Sequence, residues 1–324
     1  MILIWAKFFF LLGLISLAAH ILSVQSEKLA NRIGANFTGS VILGLITTLP
    51  EYLFVVWACV KGKYDVALGS TVGAAMMLVT LGYGLVIIAS TTRISKKPVE
   101  EIKLSKATKV DSFYLNFTAL LALVLAYIGN GLSLLDGIIL VSCFGFYIYH
   151  SYVVSRKTVS EMKANGNIGE KISSKTYFLI ALGALIVIGV SDPFVDSMIE
   201  IAHVMGIAPI AIAIILSPIA SELPEKLTAF ITVRRDGKLA EISVCNFIGS
   251  KINHNSLLIG MLPIISFFRG DGFVANVLNP PFMMMTIFTV FAGLSVARRK
   301  LSRWQGYLFL SLFSVQVLIA YLSR

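Results

Sequence analysis

Two Leu-Pro-Glu tripeptides lie within strongly apolar stretches of the sequence, and their acids are the residues best suited to chemistry. An ionised carboxylate in the middle of a membrane costs at least about 2.5 kcal/mol, so it needs a partner. Polar residues three and four positions earlier share a helix face with each acid. These are Thr47 and Thr48 for Glu51, and Ser221 and Glu222 for Glu225. We therefore predict a cation site centred on Glu51 and Glu225.

The prolines of the two tripeptides release further oxygen ligands. Pro50 and Pro224 have no N–H to donate to the carbonyl groups four residues back, which belong to Ile46 and Ala220. Irregular backbone at this depth persists only where it lines a cavity or meets another partner. Because Ca²⁺ takes about six to eight oxygens from carboxylates, carbonyls and water, we predict that both carbonyls contribute to the cation site.

Another apolar stretch carries an unusually polar run after Gly249: Ser250, Lys251, Asn253, His254 and Asn255. Ser250 and His254 are four residues apart and share a helix face, so both are predicted to line the site. His254 fits a ligand or a proton carrier, and the alternative is a hydrogen-bonded structural histidine. The matching positions of the first half are Ala74 and Leu78, which predicts an apolar wall there.

Lys251 lies beside these ligands and has two interpretations. In the first, its ammonium group snorkels or points to a neighbouring helix. In the second, it pairs with Glu222 or Glu225 as an internal counter-charge that leaves when the substrate cation arrives.

The composition places these residues in a membrane protein. Of 324 residues, 57% are hydrophobic and 14% are charged, and the mean hydropathy is +0.85. A soluble domain carries roughly a quarter charged residues. A bilayer core about 30 Å thick needs roughly 20 apolar residues of helix. Ten segments meet this criterion and predict an all-α polytopic membrane protein: 3–25, 36–60, 65–90, 112–129, 132–154, 176–200, 207–232, 239–267, 279–297 and 304–322.

The distribution of basic residues predicts the orientation. Alternate loops hold 20 Lys and Arg on one side and 4 on the other, which places both termini outside and loops 91–110 and 156–175 in the cytoplasm. The net charge of +10 therefore indicates contact with an anionic bilayer surface rather than nucleic acid. We expect an integral protein of a prokaryotic plasma membrane. The three cysteines lie singly in apolar stretches and indicate neither disulfides nor a metal site, and no cofactor is expected.

The two halves of the chain resemble each other. Segments beginning at Leu29, Leu49 and Asp65 return at Ile201, Leu223 and Glu241. Five spans in each half is an odd number, so the second copy must insert upside down relative to the first. We predict repeats over 1–155 and 176–324, joined by a cytoplasmic linker at 156–175, with equivalent residues meeting near the midplane.

These features together resemble the calcium/cation antiporter superfamily, and within it the prokaryotic sodium/calcium exchangers, over essentially the whole chain. The family pattern Gly-Thr-Ser-Leu-Pro-Glu is similar to residues 46–51 and 220–225 here. The resemblance implies that Glu51 and Glu225 are metal ligands for Ca²⁺, shared with transported Na⁺. It also assigns surrounding ligands: Thr47, Thr48, Ser221 and Ser250.

The chain departs from the family pattern at the site itself. Ala74 and Leu78 occupy the family's third-span Ser and Asn positions, His254 its eighth-span acid or Asn position, and Glu222 the position of a hydroxyl. The resemblance implies exchange of Ca²⁺, or a similar divalent cation, for Na⁺ by alternating access, with the first and sixth spans as a gating bundle. The departures keep a proton-coupled exchanger, or a cation other than Ca²⁺, as alternatives.

Two further classes compete with an antiporter. An intramembrane lipid-pyrophosphate phosphatase also combines Glu and Pro in membrane helices, but it needs Ser and Arg after the acid. Tyr52 and Lys226 follow the acids here, and no arginine lies inside a predicted span. A passive channel is disfavoured because strongly charged sites bind ions too tightly for fast conduction. We therefore expect a transporter rather than an enzyme.

Overall fold

The computed structural model describes residues 2–164, 173–205 and 222–322, and helices dominate all three ranges. The first range contains α1 (Ile2–Ile33), α2 (Ala35–Phe37), α3 (Gly44–Thr47), α4 (Leu49–Val60), α5 (Tyr64–Met77), α6 (Tyr83–Thr91), α7 (Thr108–Gly129) and α8 (Leu134–Ala164). The others contain α9 (Ser174–Val204), α10 (Leu223–Arg235), α11 (Ala240–Asn253), α12 (Ile259–Arg269), α13 (Pro280–Ala297) and α14 (Arg303–Leu322).

Several helix ends follow directly from local sequence. The Asn279 side chain accepts a hydrogen bond from the Phe282 N–H at 2.9 Å, and prolines occupy the first positions of α13, where a missing N–H costs nothing. Helix α7 ends at Asn130, which adopts the left-handed conformation with φ 50°, and α12 ends at Gly270 with φ 87°. The ends of these spans are therefore encoded locally.

Three π-helical segments interrupt the described helices: Thr38–Leu43, Leu78–Gly82 and His254–Leu258. Such segments occur often at functional sites. Helix α11 begins 176 residues after α5, and the π segment that follows α11 begins 176 residues after the π segment that follows α5. This recurrence supports the predicted internal repeat.

Length and apolar composition qualify five helical stretches among the described residues as membrane spans: Leu3–Ala30, Tyr64–Thr91, Thr108–Gly129, Leu134–Lys157 and Pro280–Ala297. A sixth results if the bent pair Ala35–Thr47 and Glu51–Val60 is one span. Helices also occupy nine of the ten predicted segments, whereas the first part of 207–232 lies outside the described residues. The number of ten spans stays a prediction.

Two small antiparallel sheets connect loops distant in sequence. Strand β1 (Glu101–Lys103) pairs with β4 (Lys300–Ser302), and β2 (Gly131–Ser133) pairs with β3 (Phe273–Ala275). Strands that pair must lie on the same side of a membrane. Each pairing joins loops that the count of basic residues assigns to one side, so the pairing supports the predicted alternation.

The helices bury four apolar clusters among the described residues. The largest surrounds Tyr83, Val244 and Phe247, which lie on α6 and α11. Helices α1 and α9 pack together elsewhere, where Leu22 and Val187 are fully buried. Polar residues of α3, α4, α10 and α11 are buried as well, among them Thr47, Glu51, Glu225 and Ser250, so helix packing rather than solvent determines where they point.

Candidate cation-binding site

Both Leu-Pro-Glu tripeptides form the first turn of a helix, α4 and α10. Helix α3 ends at Thr47, α4 begins at Leu49, and the chain bends by 49° across this break. The Glu51 N–H donates to the Thr48 carbonyl at 3.0 Å. A first turn carries the positive end of the helix dipole, which favours anions. Glu51 and Glu225 are 3% and 1% exposed, so each carboxylate is buried at the start of a helix.

Three side chains from three helical regions converge on one point. Ligand atoms of Glu51, Glu222 and His254 all lie within 4.8 Å of one another. Glu225 is close enough to Glu222 and His254 to interact electrostatically with both. The Oε1 atoms of all three glutamates are buried and accept no hydrogen bond from any described residue. The cluster therefore offers three unused carboxylate oxygens in an enclosed space.

His254 is held between a backbone carbonyl and a carboxylate. Its Nδ1 lies 2.6 Å from the Ser250 carbonyl oxygen, and its Nε2 lies 2.7 Å from Glu51 Oε2. A carbonyl oxygen can only accept, so Nδ1 carries a hydrogen and donates it. Nε2 is thereby directed into the cluster.

Three hydroxyl groups predicted as ligands lie beside the acids. Thr47 donates to the Leu43 carbonyl at 2.8 Å, and Thr48 donates to the Gly44 carbonyl at 2.6 Å and lies 3.2 Å from Ser250 Oγ. The Ser250 hydroxyl also lies 3.3 Å from the Gly44 carbonyl. These bonds tie α3 to α11 and leave lone pairs on the hydroxyl oxygens.

Gly249 allows the backbone of α11 to approach the first π segment. A Cβ at this position would lie 1.7 Å from the carbonyl oxygen of Ser40, which is far inside van der Waals contact. Only glycine fits, so residue 249 sets the distance between α11 and the first π segment.

A family model described as sodium/calcium exchanger protein matches residues 3–153 and 175–322, which is nearly the whole chain. The chain belongs to this family. A relative described as an uncharacterized membrane protein of Methanocaldococcus jannaschii is 26% identical over 313 residues, covering 95% of this chain and 96% of the relative. The predicted superfamily is therefore confirmed.

Solved structures share the fold of this exchanger. Structures of the sodium-calcium exchanger NCX_Mj, one soaked with 2.5 mM Na⁺ and 0.1 mM Sr²⁺ and one with zero Na⁺ and Ca²⁺, give TM-scores of 0.77 and 0.76 at 22% identity. Each comparison covers 98% of both chains. The fold of this chain is therefore similar to the fold of NCX_Mj over almost the whole length of both chains.

Among the residues described for the exchanger, two buried lysines lie near the acids. Lys226 forms an ion pair with Glu222 one helical turn away, and the side chains are 8% and 2% exposed. Lys251, the predicted counter-charge, is fully buried and donates to Asn255 Oδ1 at 2.7 Å. It makes no ion pair with an acid among the described residues. The ion-paired counter-charge is therefore Lys226 rather than Lys251.

Ala74 and Leu78, which the sequence predicts to form an apolar wall, are both fully buried. The nearby Thr80 hydroxyl donates to the Met76 carbonyl at 2.7 Å and lies 3.3 Å from Gln316 Oε1. The described oxygen and nitrogen ligands come instead from α3, α4, α10, α11 and the π segment after α11.

Sequence reasoning missed three participants. Besides Lys226, these are Asn246, whose Oδ1 lies 3.5 Å from Thr47 Oγ1, and Tyr52, whose hydroxyl bonds to the amide of Asn253. A signal for Lys226 was present, because residues four apart on a helix can pair. No signal in the sequence pairs Asn246 with Thr47 or Asn253 with Tyr52.

Some of the predicted ligands lie outside the described residues, and another already accepts a hydrogen bond. Ser221 and the Ala220 carbonyl fall outside the described residues. The Ile46 carbonyl accepts a hydrogen bond from the Thr48 N–H, which uses one of its two lone pairs.

Proposed function

We propose that this chain is a secondary active antiporter that exchanges Ca²⁺ or a similar divalent cation for Na⁺ by alternating access. Glu51, Glu222 and Glu225 bind the cations, with the hydroxyls of Thr47, Thr48 and Ser250 beside them. Ser221 and the carbonyls of Ile46 and Ala220 complete the proposed ligand set. Membership of the sodium/calcium exchanger family supports a transported cation.

The single observation that carries the proposal is the burial of three carboxylates with unused oxygens. Each isolated charge at a helix centre in the membrane costs about 2.5–3.5 kcal/mol on insertion scales. Among the described residues, Lys226 forms an ion pair with Glu222 alone. Bound cations offset the remaining charge, so the loaded site can pass through an occluded state while the empty site resists it. This asymmetry enforces exchange rather than leak.

A proton-coupled exchanger is the second candidate, and the Glu51–His254 contact favours it. The 2.7 Å separation between Nε2 and Oε2 requires one hydrogen, held on either the nitrogen or the oxygen. A cation that binds both atoms displaces this hydrogen. Binding and proton release are then linked, as an exchanger driven by a pH gradient requires.

We further propose that α1 and α9 slide as a gating bundle over the site. Their packing supports a joint movement. The rings of Phe8 and Phe194 stack with centroids 5.3 Å apart, and Lys7 lies 3.3 Å from Glu200. In this proposal, both termini are outside, loops 91–110 and 156–175 are cytoplasmic, and the two repeats cover 1–155 and 176–324 as inverted copies.

The test is cation uptake into proteoliposomes under an imposed Na⁺ gradient or an imposed pH gradient. Glu51→Gln and Glu225→Gln keep the side-chain shape and remove the charge. We expect both to abolish exchange while the protein stays monodisperse, with the exposed Glu100→Gln as a control that transports normally. Divalent flux retained in either site variant contradicts the proposed site. The gradient that drives flux distinguishes Na⁺ coupling from H⁺ coupling.

A further inference from the structure

We propose that the divalent substrate of this site is a first-row transition metal ion, with Zn²⁺ as the best-fitting member, rather than Ca²⁺. The ligands are one carboxylate oxygen each from Glu51 and Glu222, and Nε2 of His254. This inference rests on the proposed function and names the substrate class of the same site.

The spacing of the three ligand atoms fits a small metal ion. They lie within 4.8 Å of one another, on residues that are at most 3% exposed. Zn²⁺ binds carboxylate oxygen and imidazole nitrogen at about 2.0–2.2 Å, so two ligands on one ion lie about 3–4 Å apart. Small side-chain rotations close that distance without movement of the helices.

The orientation of His254 is that of a metal ligand. Metal-binding histidines almost always donate their other ring N–H to a carbonyl or a carboxylate, which fixes the ring and raises its basicity. The Nδ1–H of His254 donates to the Ser250 carbonyl at 2.6 Å, and Nε2 faces Glu51. The ring begins the π segment His254–Leu258, whose wider turn is typical of functional positions.

Glu222 can bind a metal without losing its lysine. Its Oε2 forms the ion pair with Lys226, whereas its Oε1 accepts no hydrogen bond from any described residue. On Glu51, Oε2 faces Nε2 of His254 and Oε1 is unused. Glu222 therefore keeps Oε2 on Lys226 and offers Oε1, whereas Glu51 loses the hydrogen shared with His254 when Nε2 binds the metal and offers its unused Oε1.

The ligand set suits a transition metal better than Ca²⁺. Calcium takes about six to eight oxygen ligands, while Zn²⁺ is satisfied by about four, nitrogen among them. Ala74 and Leu78 of the third predicted span are fully buried, and their side chains offer no oxygen. Imidazole is a preferred ligand of Zn²⁺ and Fe²⁺, whereas Ca²⁺ prefers oxygen alone. Both the number and the type of ligand therefore favour a transition metal ion over Ca²⁺.

The experiment compares Zn²⁺ with Ca²⁺ on the full-length protein, by equilibrium binding in detergent and by uptake into proteoliposomes. We expect the wild type to bind Zn²⁺ at least about 10-fold more tightly than Ca²⁺, as the ligand preferences indicate. His254→Gln should weaken Zn²⁺ binding at least about 10-fold, the smallest loss seen when a partner of a metal site is removed. Ca²⁺ binding should change less. His150, an exposed histidine outside the site, supplies the control His150→Gln.

Co²⁺ serves as a spectroscopic substitute for Zn²⁺. A low-coordinate site with a nitrogen ligand gives strong visible absorption, which His254→Gln should remove and His150→Gln should keep. Tighter binding of Ca²⁺ than Zn²⁺ by the wild type overturns the inference, as does an unchanged Zn²⁺ to Ca²⁺ ratio in His254→Gln. Either result leaves a calcium antiporter standing. Absence of any divalent binding or uptake by the wild type instead rejects the proposed function.

Discussion

The buried pair Glu222–Lys226 provides the sharpest test of how charge is balanced in this exchanger. Lys226→Gln keeps a hydrogen-bonding side chain and removes the positive charge. The Glu222 carboxylate is then left in an enclosed position, 2% exposed, beside Glu225. We expect the variant to be destabilised and to regain stability when a divalent cation is added.

The size of the effect follows from burial. Removing one partner of a buried ion pair costs about 3–5 kcal/mol, because an uncompensated charge remains. The exposed pair Lys97–Asp236 has its charges 3.8 Å apart with side chains 75% and 25% exposed, and such pairs contribute at most about 1 kcal/mol. Lys226→Gln should therefore cost at least about three times as much free energy of unfolding as Lys97→Gln.

The assay is denaturant unfolding in mixed micelles, for Lys226→Gln, Glu222→Gln and the double variant. Replacing both partners removes the orphaned charge, so the double variant should be more stable than Lys226→Gln alone. A divalent cation at 100 times its dissociation constant should restore about 2.7 kcal/mol. Equal losses for Lys226→Gln and Lys97→Gln, or a double variant no more stable than Lys226→Gln, would refute a buried charge balance.

Two further predictions concern packing and pH. Gly249→Ala places a methyl group 1.7 Å from a backbone oxygen of the first π segment, so it should abolish transport and lower the folded yield. The control is Gly69→Ala, which should be neutral because no atom lies within 4 Å of its Cβ. Comparable transport by both variants would show that the close contact at Gly249 is not needed. The Tyr64 hydroxyl donates to Asp271 at 2.7 Å and holds the pKa of that carboxyl below its usual 3.8. The stabilisation that the ionised Asp271 contributes is therefore fully present above pH 3.8 and is lost as the pH falls through the lowered pKa. The free energy of unfolding of wild type and of Asp271→Asn, measured against pH, should differ above pH 3.8 and converge in stronger acid.

A buried lysine gives the site an electrostatic character of its own. Lys226 forms an ion pair with Glu222 and offsets its charge, whereas Lys251 donates to Asn255 and makes no ion pair among the described residues. Fixed positive charge reduces the number of cations that the acids can hold at once. We therefore expect fewer cations per cycle than three carboxylates would otherwise bind.

Much of the helical architecture is readable from local sequence. Apolar runs of about 20 residues predict helices wherever backbone groups must be satisfied without water. Asn279 with two prolines starts α13 by capping and by fixed backbone angles. The two Leu-Pro-Glu tripeptides also mark the starts of α4 and α10, because proline is tolerated in a first turn.

The partners of the acids could be predicted only in part, because contacts between helices depend on how the helices cross. Lys226 lies four residues after Glu222, a spacing that permits their ion pair. The sequence left open whether Lys251 pairs with an acid, and the structure places its ammonium group on Asn255 instead. His254 reaches Glu51 across 203 positions of the chain. A helix face is encoded by a period of 3.6 residues, whereas contacts between faces depend on crossing distances set by residues such as Gly249.

The amino-acid sequence alone determined that this chain is a helical membrane protein, because apolar length is a local property, and its two Leu-Pro-Glu motifs carried the resemblance to the exchanger family. Tertiary structure decided which groups from other helices contact the acids of those motifs. It brought Nε2 of His254 to Glu51 and left unused oxygens on Glu51, Glu222 and Glu225. The reason is that the position of a side-chain atom in a membrane interior depends on the packing of several helices at once.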